Sequence, residues 1–276
     1  MKQSTKKRVL NSTRQIILLC WLVFTLIPIY TAFVASLTKY ENLGKTFLYP
    51  TDWVWHNYLE IFNRLDFAGY LKATIIYAIG SSIINVVIGA LAAYALSRYS
   101  FNGKFTYMGI ILVTQVLPQV VIVVPVFMLM QKIGLYDSYG AIIISTVATS
   151  MAFPIILMKS FFDNVPYSLE EAAYIDGCSK IKTLVRIIVP LAAPGIATAF
   201  ALSFFTGWGQ YLFPLVLSRS PSRTPVTVGI SRLIDNSTPW EMVMTGTLLS
   251  ILPPVIVYSF VQKSLISGLA AGSVKQ

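Results

Sequence analysis

Two groups of residues in this sequence have types and spacings that could do chemistry. The first is the polar run Ser168 to Gly177, SLEEAAYIDG, which continues through Cys178 to Thr183 and gives way to apolar sequence at Ile187 to Pro190. Its carboxylates, Glu170, Glu171 and Asp176, lie in a polar run with no histidine and no evident chemistry of its own, which points to recognition. Ser168 followed three residues later by Glu171 has the spacing of a capping box, in which each side chain satisfies a backbone N–H of the first turn. Glu170 and Glu171 lie where a helix dipole favours negative charge. Ala172 and Ala173 favour a helix. Gly177 suits a left-handed C-terminal turn, and Ser179 can cap a second helix through Lys180 and Lys182. These residues alone allow two readings: an ordinary capped connector, or a surface gripped by a partner in water.

The second group is uncharged and lies inside apolar runs. Asn85 is one member. Gln115 and Gln119 are spaced i, i+4 around Pro118, which predicts one shared helix face. Ser145, Thr146, Thr149 and Ser150 follow, and then Trp208, Gln210 and Tyr211. Such residues serve either as interhelical hydrogen-bonding groups or as the lining of a hydrated path for a neutral solute. No phosphate-binding G-x-x-x-x-G-K-[ST] loop is present, so energy for active transport would have to come from another chain. Neither Cys20 nor Cys178 is placed for a disulfide or metal site, and His56, the only histidine, gives no reason to be a ligand.

The elements that must position these residues follow from composition. The 276 residues are 55% hydrophobic and 12% charged, with mean hydropathy +0.69. Soluble domains carry about 25% charged residues, so the whole length reads as a polytopic membrane protein. A helical crossing needs about 20 apolar residues. Windows free of Asp, Glu, Lys, Arg and His place six spans at about 15–38, 73–97, 106–131, 138–158, 187–217 and 242–262. A polar loop at 163–186 and a tail at 263–276 complete a single all-α transmembrane domain. Pro190, Pro194 and Pro214 predict that the long fifth span is kinked or broken.

Six spans put both termini on one side. That side carries 13 of the 21 basic residues, led by Lys2, Lys6, Lys7, Arg8 and Arg14, and the excess makes it cytoplasmic. The apolar run after this cluster is longer than a secretory signal core and predicts a retained first span. The net charge of +10 then reflects topology and contact with anionic lipid, not nucleic-acid binding. On the opposite side, residues 38–70 are rich in aromatics, including Tyr40, Phe47, Tyr49, Trp53, Trp55 and Tyr58. They suit an interfacial belt or a docking surface for an external partner. The loop 218–225 is short and turn-rich; it is either a connector or a partner-touching finger. Ser100 to Gly103 reads as a tight turn.

The pattern Glu171-Ala-Ala-x3-Gly177-x9-Ile187-x-Val189-Pro190 resembles the EAA loop of binding-protein-dependent ABC importer permeases, EAA-x3-G-x9-I-x-LP; only Val189 departs, conservatively. The similarity extends to Asn57 to Phe62 (NYLEIF), Ala93 to Arg98 (AYALSR) and the tail Gly268 to Lys275. It points to the carbohydrate-importing branch and its smaller maltose-type subunit. The usual W-N-x-F pattern near Trp208 is altered here by Gly209 and Gln210.

This resemblance implies an ABC importer type I-like permease that is not itself an enzyme. Its coupling residues would be Glu170, Glu171, Ala172, Ala173, Asp176, Gly177, Ile187 and Pro190, seated against a cytoplasmic ATPase. Its path would run by Asn85, Gln115, Gln119, Trp208, Gln210 and Tyr211. The partners implied are a second homologous permease, two ABC ATPases that bind ATP and Mg, an extracytoplasmic solute-binding protein and the lipid of a bacterial cytoplasmic membrane. The chain itself would bind no cofactor. The alternatives are a permease for a different solute, a self-sufficient channel or secondary carrier, and an intramembrane enzyme; for the last, no nucleophile–base or metal set is visible in the spans.

Overall fold

The computed structural model describes residues 2–44, 49, 50, 52–235 and 239–273. Among them the fold is all-α, with no strand. The helices are α1 (Lys2–Ser36), α2 (Asn57–Arg64), α3 (Phe67–Arg98), α4 (Lys104–Val116), α5 (Gln119–Lys132), α6 (Tyr139–Ser150), α7 (Ala152–Asp163), α8 (Ser168–Ile175), α9 (Lys180–Thr183), α10 (Val189–Leu191), α11 (Ala193–Trp208), α12 (Leu212–Leu217), α13 (Val226–Asp235) and α14 (Trp240–Ser273). A π-helical stretch, Leu184–Ile188, joins α9 to α10.

Three single helices are long and apolar enough to cross a bilayer: α1 over Asn11–Ser36, α3, and α14 over Trp240–Leu265. Three bent pairs meet the same criterion jointly, giving up to six crossings. The bends lie at prolines. Between α4 and α5 the chain turns by 101° at Leu117, whose extended backbone precedes Pro118, as a residue before proline prefers. Gln115 and Gln119 therefore stand on two helices. The shared face expected from their i, i+4 spacing does not exist, because Pro118 ends the first helix. Between α6 and α7 the bend is 55°; Pro154 removes the N–H that would reach back to Ser150. The fifth apolar stretch breaks by 84° at Ala192, flanked by Pro190 and Pro194, and α12 follows as a separate helix.

Two compact units are distinguished, Met1–Phe67 with Ile230–Ile251, and Ala68–Gly229 with Leu252–Gln276. In the first, Asn57 donates from Nδ2 to the Ser36 carbonyl at 2.8 Å, and Ser36 and Tyr58 share a hydroxyl–hydroxyl bond. Asp52 accepts from Lys39 N–H and Asn42 Nδ2. These bonds fold the aromatic segment back on the end of α1, with the Trp55 ring in contact with those of Phe33, Trp53 and Tyr58. Trp53 has φ 49, a left-handed conformation uncommon for a bulky residue.

In the second unit, α11 packs along α7. A Cβ on Gly195 would lie 2.3 Å from the Phe161 ring, so only glycine permits that approach. One cluster of buried residues joins Ala93, Tyr94, Met158, Phe162, Leu184, Ile188 and Ala199; another joins Tyr77, Ile142, Phe213 and Leu217. Asp137, at φ 54, ties the loop after α12 to the start of α6. Its Oδ1 accepts from the N–H groups of Arg219 (2.9 Å) and Ser220 (3.0 Å), and its Oδ2 accepts from Arg223 Nη1 (2.7 Å). The Tyr77 and Tyr139 hydroxyls donate to the carbonyls of Arg223 and Ser222. Burial pushes the Asp137 carboxyl up, but the Ser220 and Arg219 hydrogen bonds and the Arg223 charge outweigh it and hold it at about 2. The 218–225 loop is thus a pinned structure.

Candidate functional site

Helix α8 begins one residue earlier than its serine suggests. Tyr167 already has αR geometry and no side-chain cap, and its carbonyl accepts from the N–H groups of both Glu170 and Glu171. Ser168 is inside the first turn, where its hydroxyl is not positioned as an N-cap. The expected capping box is therefore absent, because the chain leaving Pro166 is already helical. The other end follows the sequence expectation. Gly177 has φ +75, Cys178 N–H reaches the Ala173 carbonyl and Gly177 N–H the Tyr174 carbonyl. That pair of bonds is a Schellman motif. Ser179 then caps α9, its hydroxyl accepting from Lys182 N–H.

The two neighbouring glutamates of α8 have opposite surroundings. Successive helical residues are about 100° apart. Ser168, Glu171, Ala172 and Ile175 form one exposed stripe, with Ile175 87% exposed. Glu170 and Ala173 are buried on the other side. Glu170 is fully buried and ion-paired with Arg98 Nε, which is itself only 9% exposed. Its other oxygen accepts from the Tyr94 hydroxyl at 2.7 Å and the Tyr174 hydroxyl at 3.3 Å. Arg98 also donates from Nη2 to the Val165 carbonyl at 2.9 Å. Beside it, Ser97 donates to Asp163 Oδ1 at 2.6 Å, and Lys180 Nζ lies 4.8 Å from the centre of the Tyr99 ring. The C-terminal turns of α3 therefore clamp the loop that holds α8. A buried carboxylate is tolerable only when paired and hydrogen-bonded in this way.

Of the remaining loop residues singled out from the sequence, Asp176 and Gly177 are exposed at the end of α8, Ile187 is half-buried in the π-helical stretch, and Pro190 is exposed on α10. Tyr94 and Arg98 were missed in this role. The available signal was their i, i+4 spacing at the polar end of a span, which puts both on one face.

A second feature is a cavity of about 540 Å³ lined by Gln115, Gln119, Thr149, Ser150, Ser203 and Thr206, with Phe153, Pro154, Leu202 and Phe205. Its wall is uncharged. Gln115 Nε2 donates to the Thr149 carbonyl at 3.0 Å, and Asn85 Nδ2 donates to the Ser150 hydroxyl from behind at 2.9 Å. Asn85 Oδ1, Thr146 Oγ1 and Ser203 Oγ are buried without a protein hydrogen-bond partner. Amides and hydroxyls beside phenyl rings suit a neutral, many-hydroxylated solute. Trp208, Gln210 and Tyr211 lie away from this wall. Trp208 stacks on Phe204 against Ala78, the Gln210 carbonyl accepts from Thr227, and Tyr211 is exposed before α12. Among the described residues, no group of three or more His, Cys, Asp or Glu side chains could hold a metal.

Comparison with known proteins agrees with this fold. The chain is 33% identical to the inner membrane ABC transporter permease protein YcjP of Escherichia coli K12, over 99% of both chains. It is 34% identical to the trehalose/maltose transport system permease protein MalG of Thermococcus litoralis, over 79% of this chain and 80% of that one. Among solved structures, it matches a chain of a bacterial ABC transporter involved in import of the acidic polysaccharide alginate, with TM-score 0.78 and 28% identity, over 93% of this chain and 96% of that chain. The profile of the binding-protein-dependent transport system inner membrane component matches residues 85–270. The chain, a helical multi-pass membrane protein whose polar loop presents a clamped helix, belongs to the family of binding-protein-dependent transport system inner membrane components.

Proposed function

We propose that this chain is the permease subunit of an ATP-driven importer of a di- or oligosaccharide, working by alternating access. It pairs with a second homologous permease in a bacterial cytoplasmic membrane, with both termini cytoplasmic. Two separate ABC ATPases bind ATP and Mg, and an extracytoplasmic solute-binding protein delivers the sugar. The observation that carries this reading is the two-sided helix α8: Glu171, Ala172 and Ile175 are free to meet a partner, while Glu170 fixes the helix to α3 from behind. Glu171, Ala172, Asp176 and Gly177 then form the ATPase-facing side. Glu170 and Ala173 hold that side in place, and Ile187 and Pro190 lead from it into the membrane domain.

The sugar assignment is supported by the uncharged polar cavity and by relatives named for sugar transport. Gln115 and Gln119 would contact the solute, with Asn85 orienting Ser150 from behind. Trp208, Gln210 and Tyr211 would shape the pathway from outside the cavity wall.

The test is purification of the chain from its native membrane in mild detergent. Co-purification of an ATPase and a second permease, with the ATPase lost on Glu171→Lys, is the expected result. A lone chain that passes solute in liposomes would instead identify a self-sufficient channel or carrier.

A further inference from the structure

Helix α11 carries no charged residue and is the part of its bent pair suited to the bilayer interior. The helical run before it, Lys180–Leu191, carries Lys180, Lys182 and Arg186 and meets α11 at 84°. A crossing helix stands near the membrane normal, so a run set at that angle lies close to the membrane plane. Its depth follows from what it packs on. Leu184 and Ile188 share one buried cluster with Ala93 and Tyr94 of α3 and Phe162 of α7. Those two helices turn polar within a turn of these residues, at Arg98 and at the Lys159–Asp163 ion pair. The run therefore sits where hydrocarbon gives way to water.

Its outward side fits that level. Ile181 and Val185, one turn apart, are 61% and 58% exposed, and Leu191 beyond them is exposed too. Lys182 and Arg186, likewise one turn apart, are exposed directly beside them. Among the described residues neither has an acidic partner, whereas the neighbouring Lys180 lies over the Tyr99 ring. A stripe of branched aliphatics flanked by basic side chains matches neither water nor hydrocarbon. It matches their boundary, where the aliphatics enter the acyl region and the long cationic side chains reach lipid phosphates. We propose that Lys182 and Arg186, with Ile181 and Val185, form a binding site for anionic phospholipid on an in-plane helix between α8 and α11. The α8 stripe carrying Glu171 is a separate surface, so this site stands whether or not that stripe meets an ATPase.

Contact quenching tests this on the full-length chain, purified with whatever subunits accompany it and placed in phosphatidylcholine vesicles. Cys20 and Cys178 are replaced by serine, and Val185→Cys carries bimane, which keeps an apolar group at that position and leaves the basic pair in place. Equal small fractions of phosphatidylcholine or phosphatidylglycerol, each with a nitroxide near the top of an acyl chain, then serve as quenchers. Both should quench, and phosphatidylglycerol should do so about fivefold more effectively, the enrichment that one basic side chain near an anionic surface confers. Lys182→Gln with Arg186→Gln should make the two lipids equal, whereas Lys182→Arg with Arg186→Lys should keep the preference. In the chain with its native charges, about 1 M salt should abolish the preference and leave quenching by phosphatidylcholine unchanged; this keeps the test decisive if the double glutamine variant fails to insert. Absence of quenching by either lipid would put the stripe in water or under protein and overturn the proposal. Quenching seen only after an ATPase is stripped away would assign the stripe to that partner instead. Equal quenching with the native charges, or a preference that survives salt or the double glutamine variant, would remove Lys182 and Arg186 from any such site.

Discussion

Tyr94 and Arg98 hold the two oxygens of one carboxylate: the Tyr94 hydroxyl donates to Glu170 Oε2 at 2.7 Å, while Arg98 Nε pairs with Oε1. They are four residues apart on α3, one turn of helix, and so converge on Glu170 from the same face. A buried charge with that many partners is costly to orphan. Glu170→Gln or Arg98→Met is expected to destabilise the chain by about 3 kcal/mol, and replacing both by apolar residues should cost less than either single change. Thermal unfolding of the purified complex in detergent, measured on both single variants and the double, checks this. A double variant as unstable as the sum of the singles would contradict it.

Glu171 should behave in the opposite way. It is exposed and makes no contact that anchors the bundle, so Glu171→Lys should cost under about 1 kcal/mol of stability, mainly through the helix dipole. Uptake should nevertheless be lost. Parallel measurement of membrane abundance, unfolding temperature and sugar uptake separates the two effects; normal uptake would remove Glu171 from the coupling surface.

Gly177 ends α8 at φ +75, and a Cβ added there would meet nothing within 4 Å. Space is therefore not the constraint; backbone conformation is. Gly177→Val is expected to cost about 1–2 kcal/mol and to reduce uptake by loosening the turn, while Gly177→Asn, which tolerates the left-handed region, should retain more function. Equal loss in both variants would argue against the conformational explanation.

Asp137 gives a pH-dependent outcome. Its carboxyl is held at about 2 against an ordinary 3.8, so the folded state favours the ionised form. The resulting stability, about 2 kcal/mol, is complete above about 4 and lost as pH falls toward 2. Asp137→Asn should therefore be less stable by about that amount at neutral pH. The gap between the two proteins should narrow in acid. A gap independent of pH across that window would show that the aspartate acts by shape alone.

Gln115 borders the cavity and donates to the Thr149 carbonyl. Gln115→Leu should weaken uptake by raising KM roughly tenfold, the loss of about 1 kcal/mol or slightly more from a polar contact, without releasing the ATPase. Transport kinetics with a fixed amount of assembled complex give the readout. An unchanged KM would take Gln115 off the path.

What the sequence revealed was governed by the range of each interaction. Gly177 and Ser179 were legible because their roles depend on backbone within a few residues. The apolar stretches were legible because lipid demands long uncharged runs. Those windows measure hydrophobicity and not direction, so the 101° turn at Pro118 escaped them, and Gln115 and Gln119, expected on one helix face, border one cavity from two helices. Ser168 had the right spacing for a cap, but the preceding Pro166–Tyr167 backbone had already entered the helix. Glu170 looked like any acid of a solvated loop because its partner is 72 residues away, and Arg98 looked like the charged end of a span. Trp208 read as a residue of a hydrated path, but its stacking on Phe204 required the packed bundle to be seen.

The placement of Glu170 and Glu171 on opposite sides of one helix separates two design problems that share adjacent codons. The inward acid belongs to the architecture of the permease, and its neighbours must change with it. The outward acid, with Ala172 and Ile175, answers only to whatever it meets. If α8 couples as proposed, rewriting that narrow stripe of side chains would exchange one motor for another and leave the machine behind it untouched.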